Sequence, residues 1–152
     1  LNPILKSLYK KSILYKPYKG LTEFRAHAYG YLYSYKFVDY YYKTNNFKHN
    51  IESYIANIPH YINKCRNKFI NGELISYDLY SMLGYVSIID ISKNITAIQD
   101  SVIYKYMDNF FHEMNCGIII DLYDLCYQSY HNNDDLSLLS EIYKLENRLF
   151  ES

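Results

Sequence analysis

The stretch that decides the fold is Leu74-Ile-Ser-Tyr-Asp-Leu-Tyr-Ser-Met-Leu-Gly-Tyr-Val-Ser-Ile-Ile-Asp-Ile-Ser-Lys-Asn94. Ser76 is placed to cap a helix by accepting a bond from a free first-turn amide, and Asp78 puts a carboxylate near the positive end of the dipole. From Leu79 to Ile91 the apolar side chains Leu79, Met82, Leu83, Val86, Ile88, Ile89 and Ile91 go all round the helix, at about 100° per residue, rather than forming one stripe. A helix apolar on every side is buried in a core or in a membrane. Roughly 15 residues with an aspartate near each end are too few to span a bilayer. The segment, about 77–92, therefore reads as the central helix of an all-α protein, wrapped by its neighbours.

Working outward, the punctuation marks seven or eight helices. Asn2-Pro3 is a helix start, and Ile4, Leu5, Leu8 and Leu14 give one face to about Lys16. Pro17 and Gly20 read as a break. Thr22 is placed to cap a second helix over Glu23 to Tyr42, with Phe24, Ala28, Tyr31, Tyr35 and Val38 near one face and Asn45-Asn46 as its end. A short helix over Phe47 to Ile58 stops before Pro59, which starts the next, and Asn71-Gly72 closes that one in a left-handed turn. After the central helix, Thr96 to Met114 forms another, with a stop at Asn115-Cys116-Gly117. Ile118 to about Tyr130 follows. His131-Asn132-Asn133-Asp134 is a polar loop, and Asp135 caps an extra C-terminal helix, 135–150, through Leu139, Ile142, Leu145 and Leu149. Strand alternation with turn signals is not found. On Thr96 to Met114 the apolar residues span roughly 220° of the circumference, more than a packed surface helix requires. Either the C-terminal helix covers the excess, or it is a protein-binding surface.

With 152 residues the chain suits one domain, and its 16 basic and 16 acidic residues leave it without net charge. A strongly electrostatic partner such as duplex DNA is not implied. The first 25 residues are nonetheless basic and the region after Gly117 acidic, which reads as solvated helix faces or as steering of a partner or second copy. Three cysteines, Cys65, Cys116 and Cys126, are an odd number without metal spacing, so a reducing compartment is the simpler inference. No secretory signal or membrane span is visible, and a start at Leu1 rather than Met leaves room for an upstream segment. The 21 tyrosines, with no tryptophan, accompany frequent Ile, Asn and Lys. All have A/T-rich codons, so a biased genome, as in large DNA viruses and some parasites, explains them better than a tyrosine-dependent activity.

Catalytic patterns are missing from the sequence: there is no Gly-rich phosphate loop, no serine nucleophile elbow and no zinc spacing. His112 and Cys116 at i and i+4 are two ligands without a third or fourth, and Asp121 and Asp124 lack partners for acid–base work. Arg25 and His27 do not have the spacing of helical nucleases. Tyr40-Tyr41-Tyr42 beside Lys36 and Lys43 could stack single-stranded bases, against which packing of a helix terminus is the plainer reading. No cofactor is implied.

The block Tyr80-Ser-Met-Leu-Gly84-Tyr-Val-Ser-Ile-Ile-Asp-Ile-Ser-Lys93 resembles the fifth helix of the poxvirus Bcl-2-like proteins, where a similar Met-Gly or Ile-Gly step is followed by a polar turn. Tyr35 to Asn46 resembles the end of that family's second helix, and Ile51 to Phe69 matches in helix spacing. The resemblance covers roughly Ile4 to Tyr130 by degenerate patterns. It implies a Bcl-2-like bundle of seven to eight helices in a non-enzymatic virulence factor of the host cell cytoplasm, with the nucleus as a second location. Such a factor binds host innate-signalling adaptor or kinase-complex proteins and weakens NF-κB or interferon regulatory factor activation. The family also pairs through its first and sixth helices, which makes Tyr9, Ile13, Phe110 and Phe111 the interface candidates of a homodimer. The Asn-Trp-Gly-Arg signature of cellular Bcl-2 proteins is replaced here by Ser76-Tyr77-Asp78-Leu79-Tyr80, which places an apoptosis inhibitor with a helix-binding groove second. The charged C-terminal helix forbids a membrane anchor.

Overall fold

In a computed structural model of the chain, residue 3 and residues 12–92, 116–131 and 136–150 are described. Among them there are six helices and no strand: α1 (Tyr15–Tyr42), α2 (Phe47–Ala56), α3 (Ile58–Ile70), α4 (Ser76–Ser92), α5 (Cys116–His131) and α6 (Leu136–Phe150). The all-α reading stands. The expected helix at Thr96 to Met114, the Asp135 cap and most of the helix expected from Ile4 lie outside the described residues.

α4 is the hub. Leu79, Tyr80, Leu83, Val86 and Ile88 have no exposed surface at all, and Ser81, Ser87 and Ser92 are buried with them. Two of the three tolerate this because a short hydroxyl can return to its own helix: Ser87 Oγ donates to the Gly84 carbonyl at 2.7 Å and Ser92 Oγ to that of Ile88. The first helical bond runs from the Leu79 amide to the Ile75 carbonyl. Ser76 thus sits inside the helix rather than capping it, a correction of one position.

α1 packs chiefly along α4, and two glycines set how closely. A Cβ at Gly84 would lie 2.5 Å from the Phe24 carbonyl oxygen and 2.8 Å from His27 Cβ. A Cβ at Gly20 would lie 2.3 Å from the Tyr80 ring. Gly20 is therefore no breaker. It is a buried helical residue of α1, chosen by contact rather than by turn geometry. Pro17 lies within the first turn, where its missing N–H costs nothing. The expected break at Pro17 to Gly20 and the cap at Thr22 are both overturned: the helix is continuous from Tyr15, and Thr22 Oγ1 donates to the Tyr18 carbonyl in mid-helix.

The remaining boundaries follow local chemistry. Pro59 sits in the first turn of α3 and Gly72 adopts a left-handed φ of 70° after it, as the sequence suggests. α2 ends at Ala56, two residues earlier than expected, and α5 begins at Cys116, two residues before the expected start at Ile118. α6 presents Leu139 and Ile142 to the core.

Candidate functional site

Two features of α1 face in opposite directions and both are aromatic. Toward the core, Tyr31 packs on Tyr54 of α2 (centroids 4.5 Å apart) and near Tyr85 of α4, while Tyr61 of α3 stacks on Tyr85 at 4.5 Å with planes 9° apart. His27 meets the edge of Tyr85 at 4.7 Å. Its Nδ1 lies 2.8 Å from the Glu23 carbonyl oxygen, to which it donates. Burial, then neighbouring phenols, push the Tyr54 and Tyr85 hydroxyls above the ordinary tyrosine value. The cluster is a seam of ring contacts that joins α1, α2, α3 and α4.

Beside that seam, between α1, α3 and α4, lies a cavity of about 170 Å³. Lys68 Nζ, on its rim, donates to Asp78 Oδ1 at 3.0 Å. The volume is below the roughly 300–1,000 Å³ of ordinary ligand clefts. Tyr61, Tyr77 and Tyr85 are among the residues that line it.

Away from the core, Tyr29, Tyr33, Phe37 and Tyr41 repeat at i+4 along the outer side of α1, one ring about every 6 Å. Tyr29 stacks on Tyr33 (5.6 Å, 22°) and Phe37 on Tyr41 (5.9 Å, 24°). Tyr33, Phe37, Tyr41 and Tyr42 are each 63–68% exposed, and Tyr40 is 84% exposed. The expectation that Tyr40-Tyr41-Tyr42 packs as a helix terminus is therefore corrected: the rings stand in solvent.

Asp39 holds that end of α1 in place. Its carboxylate accepts from Thr44 Oγ1 at 2.6 Å, the Asn46 amide at 3.0 Å and the Phe47 amide at 2.7 Å. Lys43 takes the left-handed φ of 55° that closes the helix. The Thr44 hydroxyl first, then the Asn46 amide, hold the Asp39 carboxyl below its usual range. One side chain thus caps α2 from the preceding helix.

On the opposite flank the structure holds a charge that the sequence reading placed in solvent. Glu146 of α6 is 1% exposed, accepts from Tyr80 Oη at 2.7 Å, and has Lys16 Nζ 3.3 Å from Oε1 without hydrogen-bond alignment. Arg25 Nη2 donates to the Ser129 carbonyl nearby on α5 at 2.9 Å, a structural role for a residue weighed only against nuclease spacing. Asp121 and Asp124 are exposed; burial, then Asp121, raise the Asp124 carboxyl. The described residues contain no group of His, Cys, Asp and Glu able to hold a metal. Cys65 and Cys126 are free, buried thiols.

Of the interface candidates, Ile13 is 67% exposed just before α1. Tyr9, Phe110 and Phe111 lie outside the described residues, as does His112. The aromatic i+4 repeat on α1 was readable in the sequence, but its outward orientation was not. No described helix is long and apolar enough to cross a membrane. Comparison with protein-family models, curated proteins and solved structures finds no match for this chain.

Proposed function

We propose that the chain is a non-enzymatic protein-binding scaffold, a Bcl-2-like poxvirus virulence factor that occupies host innate-signalling adaptor or kinase-complex proteins. The observation that carries the protein-binding reading is the outward aromatic repeat Tyr33-Phe37-Tyr41 with Tyr40 and Tyr42. Monomeric surfaces seldom expose so many clustered rings, and Tyr is a preferred anchor of protein interfaces because it buries a large area at low entropic cost. The buried central helix and the close crossing at Gly84 support the Bcl-2-like assignment, which rests on the sequence resemblance. The scaffold acts by occupancy in the cytoplasm of the host cell or its nucleus, competing with a host–host contact. A homodimer through the candidates Tyr9, Ile13, Phe110 and Phe111, which the sequence resemblance implies, is a second partner mode. The tyrosine-filled seam beside α4 favours signalling interference over an apoptosis inhibitor with an open groove.

The test is affinity purification from transfected human cells with the wild type and the double variant Phe37→Ser/Tyr41→Ser, read by mass spectrometry and by NF-κB and interferon reporters. Expected are recovery of a signalling adaptor or kinase-complex subunit and reporter inhibition. Both should fall about tenfold or more in the variant, as for loss of a hot spot worth about 1.4 kcal/mol or more. Unchanged reporters and no recovered signalling protein would overturn the reading. Sub-micromolar binding of pro-apoptotic helical peptides would replace it with the apoptosis alternative, and salt-dependent affinity for single-stranded nucleic acid would replace both.

A further inference from the structure

Gly30 has no account within the chain. It lies in the middle of α1, where glycine is the poorest helix former after proline, and a Cβ there would meet nothing within 4 Å. Gly20 and Gly84, also in helix interiors, are each required by a close approach, to Tyr80 and to Phe24 with His27. Gly30 is exposed, in a row with Ala26 and Ser34, which are exposed too. This row of small residues and the ring row Tyr33, Phe37 and Tyr41 both repeat every four residues. At about 100° per residue they share one arc of α1, roughly opposite the buried Phe24, Ala28 and Leu32. Between Ala26 and Tyr42 the charged residues are Lys36 and Asp39, and both turn to α2. Lys36 Nζ lies 5.4 Å from the Phe47 ring centroid, and Asp39 accepts from the Asn46 and Phe47 amides. The outward arc is thus uncharged, as interface cores tend to be, and offers no cation to a nucleic acid. Its area is sufficient. Tyr33, Phe37, Tyr40 and Tyr41 are each 63–84% exposed, which at about 150–250 Å² per aromatic side chain leaves about 400–700 Å² of ring surface per copy. With Ala26, Gly30, Ser34 and Val38 the patch approaches the roughly 800 Å² per partner of a stable interface.

We propose that this face pairs with the same face of a second copy, the two α1 helices running antiparallel about a two-fold axis between residues 33 and 34. That reversal sets Gly30 against the partner's Phe37, Ala26 against the partner's Tyr41 and Ser34 against the partner's Tyr33. Every small residue meets a ring because both rows keep the four-residue spacing of a helix ridge, and a two-fold interface must complement itself. Gly30 and Ser34 flank the axis and let the two backbones approach. The inference rests on the reading of this face as protein-binding and names what covers it in the free protein, so that a host protein binds there by displacing the second copy. It is a different pairing from the one that the resemblance implies through Tyr9, Ile13, Phe110 and Phe111.

Sedimentation equilibrium of the full chain, from micromolar to submillimolar concentration, should show the mass rising from that of a monomer to that of a dimer. Gly30→Gln fills open space. Where the chain is monomeric it should melt no lower than wild type, since Gln is the better helix former, yet it should weaken the dimer about tenfold or more, as should Phe37→Ser. A short bismaleimide, with the wild type as control for the native thiols, reads the direction of pairing. Ser34→Cys, beside the axis, should link to itself. Ala26→Cys should not, because its copies stand about 22 Å apart along the helices, but it should link to Tyr41→Cys when the two variants are mixed. Monomer mass at every concentration, a dimer indifferent to both Gly30→Gln and Phe37→Ser, or Ala26→Cys linking to itself as readily as Ser34→Cys would overturn the proposal. A monomer that still recovers a host signalling protein through Phe37 and Tyr41 would remove the dimer and keep the host-binding reading. A dimer paired in this way that recovers no such protein would do the reverse.

Discussion

Gly84 shows how one missing methyl can decide where two helices cross. Ala is the better helix former by about 1 kcal/mol, yet at position 84 its Cβ would meet the Phe24 carbonyl oxygen at 2.5 Å, and a backbone atom in the core cannot step aside cheaply. Overpacking costs about 1–3 kcal/mol, so after the helix gain Gly84→Ala should lower stability by up to about 2 kcal/mol in urea unfolding. Gly30, on the same α1, would place its Cβ in open space. Gly30→Ala should raise stability by about 0.5–1 kcal/mol, and equal effects at the two sites would refute the close-crossing account. Tyr80 and Glu146 make a second residue-scale case. Their 2.7 Å bond is buried, so Tyr80→Phe strands a carboxylate oxygen and should cost about 1.5–3 kcal/mol. Combined with Glu146→Gln, a double-mutant cycle should return a coupling of about 0.5–3 kcal/mol. Strict additivity would mean that the bond contributes nothing.

Among the elements, the corner between α1 and α2 depends on a carboxylate that must be ionised. Asp39 has a folded pKa below its unfolded value. Its contribution is therefore fully present above the ordinary carboxylate value of about 3.9 and is lost as pH falls through the lower folded value. Asp39→Ala should melt lower than wild type at neutral pH, and the gap should close on acidification through that window. A gap constant from neutral pH into strong acid would place the effect in packing rather than charge. The same corner explains why α1 ends where it does. Lys43 leaves the helix in a left-handed conformation, and two of the three contacts that Asp39 accepts collect the Asn46 and Phe47 amides at the start of α2.

For the whole molecule, the two described thiols report on cooperativity. Cys65 lies on α3 and Cys126 on α5, and α4 is the common core element. Burial, and secondarily Asp78, push the Cys65 thiol up to about 12, and burial raises Cys126 as well. Neither forms thiolate near neutrality, and alkylation needs thiolate and access together. Iodoacetamide at pH 8 should leave both peptides unmodified in the folded protein and label both together as urea opens the bundle. Native-state labelling of either would show that its helix opens separately from the rest.

How much of this was legible beforehand depends on the range of the interaction involved. The all-round apolar pattern of 79–91, the proline at the start of α3 and the left-handed Gly72 are local, and each was readable from composition and spacing because backbone sterics and helical period act over a few residues. Gly20 and Pro17 read as a break because those rules price them by local propensity. The contact with Tyr80, sixty residues on, reverses that reading. Glu146 looked solvated for the same reason: nothing near it in sequence shows a buried tyrosyl hydroxyl or the Lys16 ammonium. The i+4 repeat of rings on α1 was present in the sequence, but periodicity alone does not say which of two apolar faces meets the core. The sequence by itself determined that the chain is helical and that 77–92 lies at its centre, since a helix apolar on every side has no other stable place in water. Only the tertiary structure decided which aromatic rings close the seam and which stand outward, because that choice is made by long-range packing at Gly20 and Gly84.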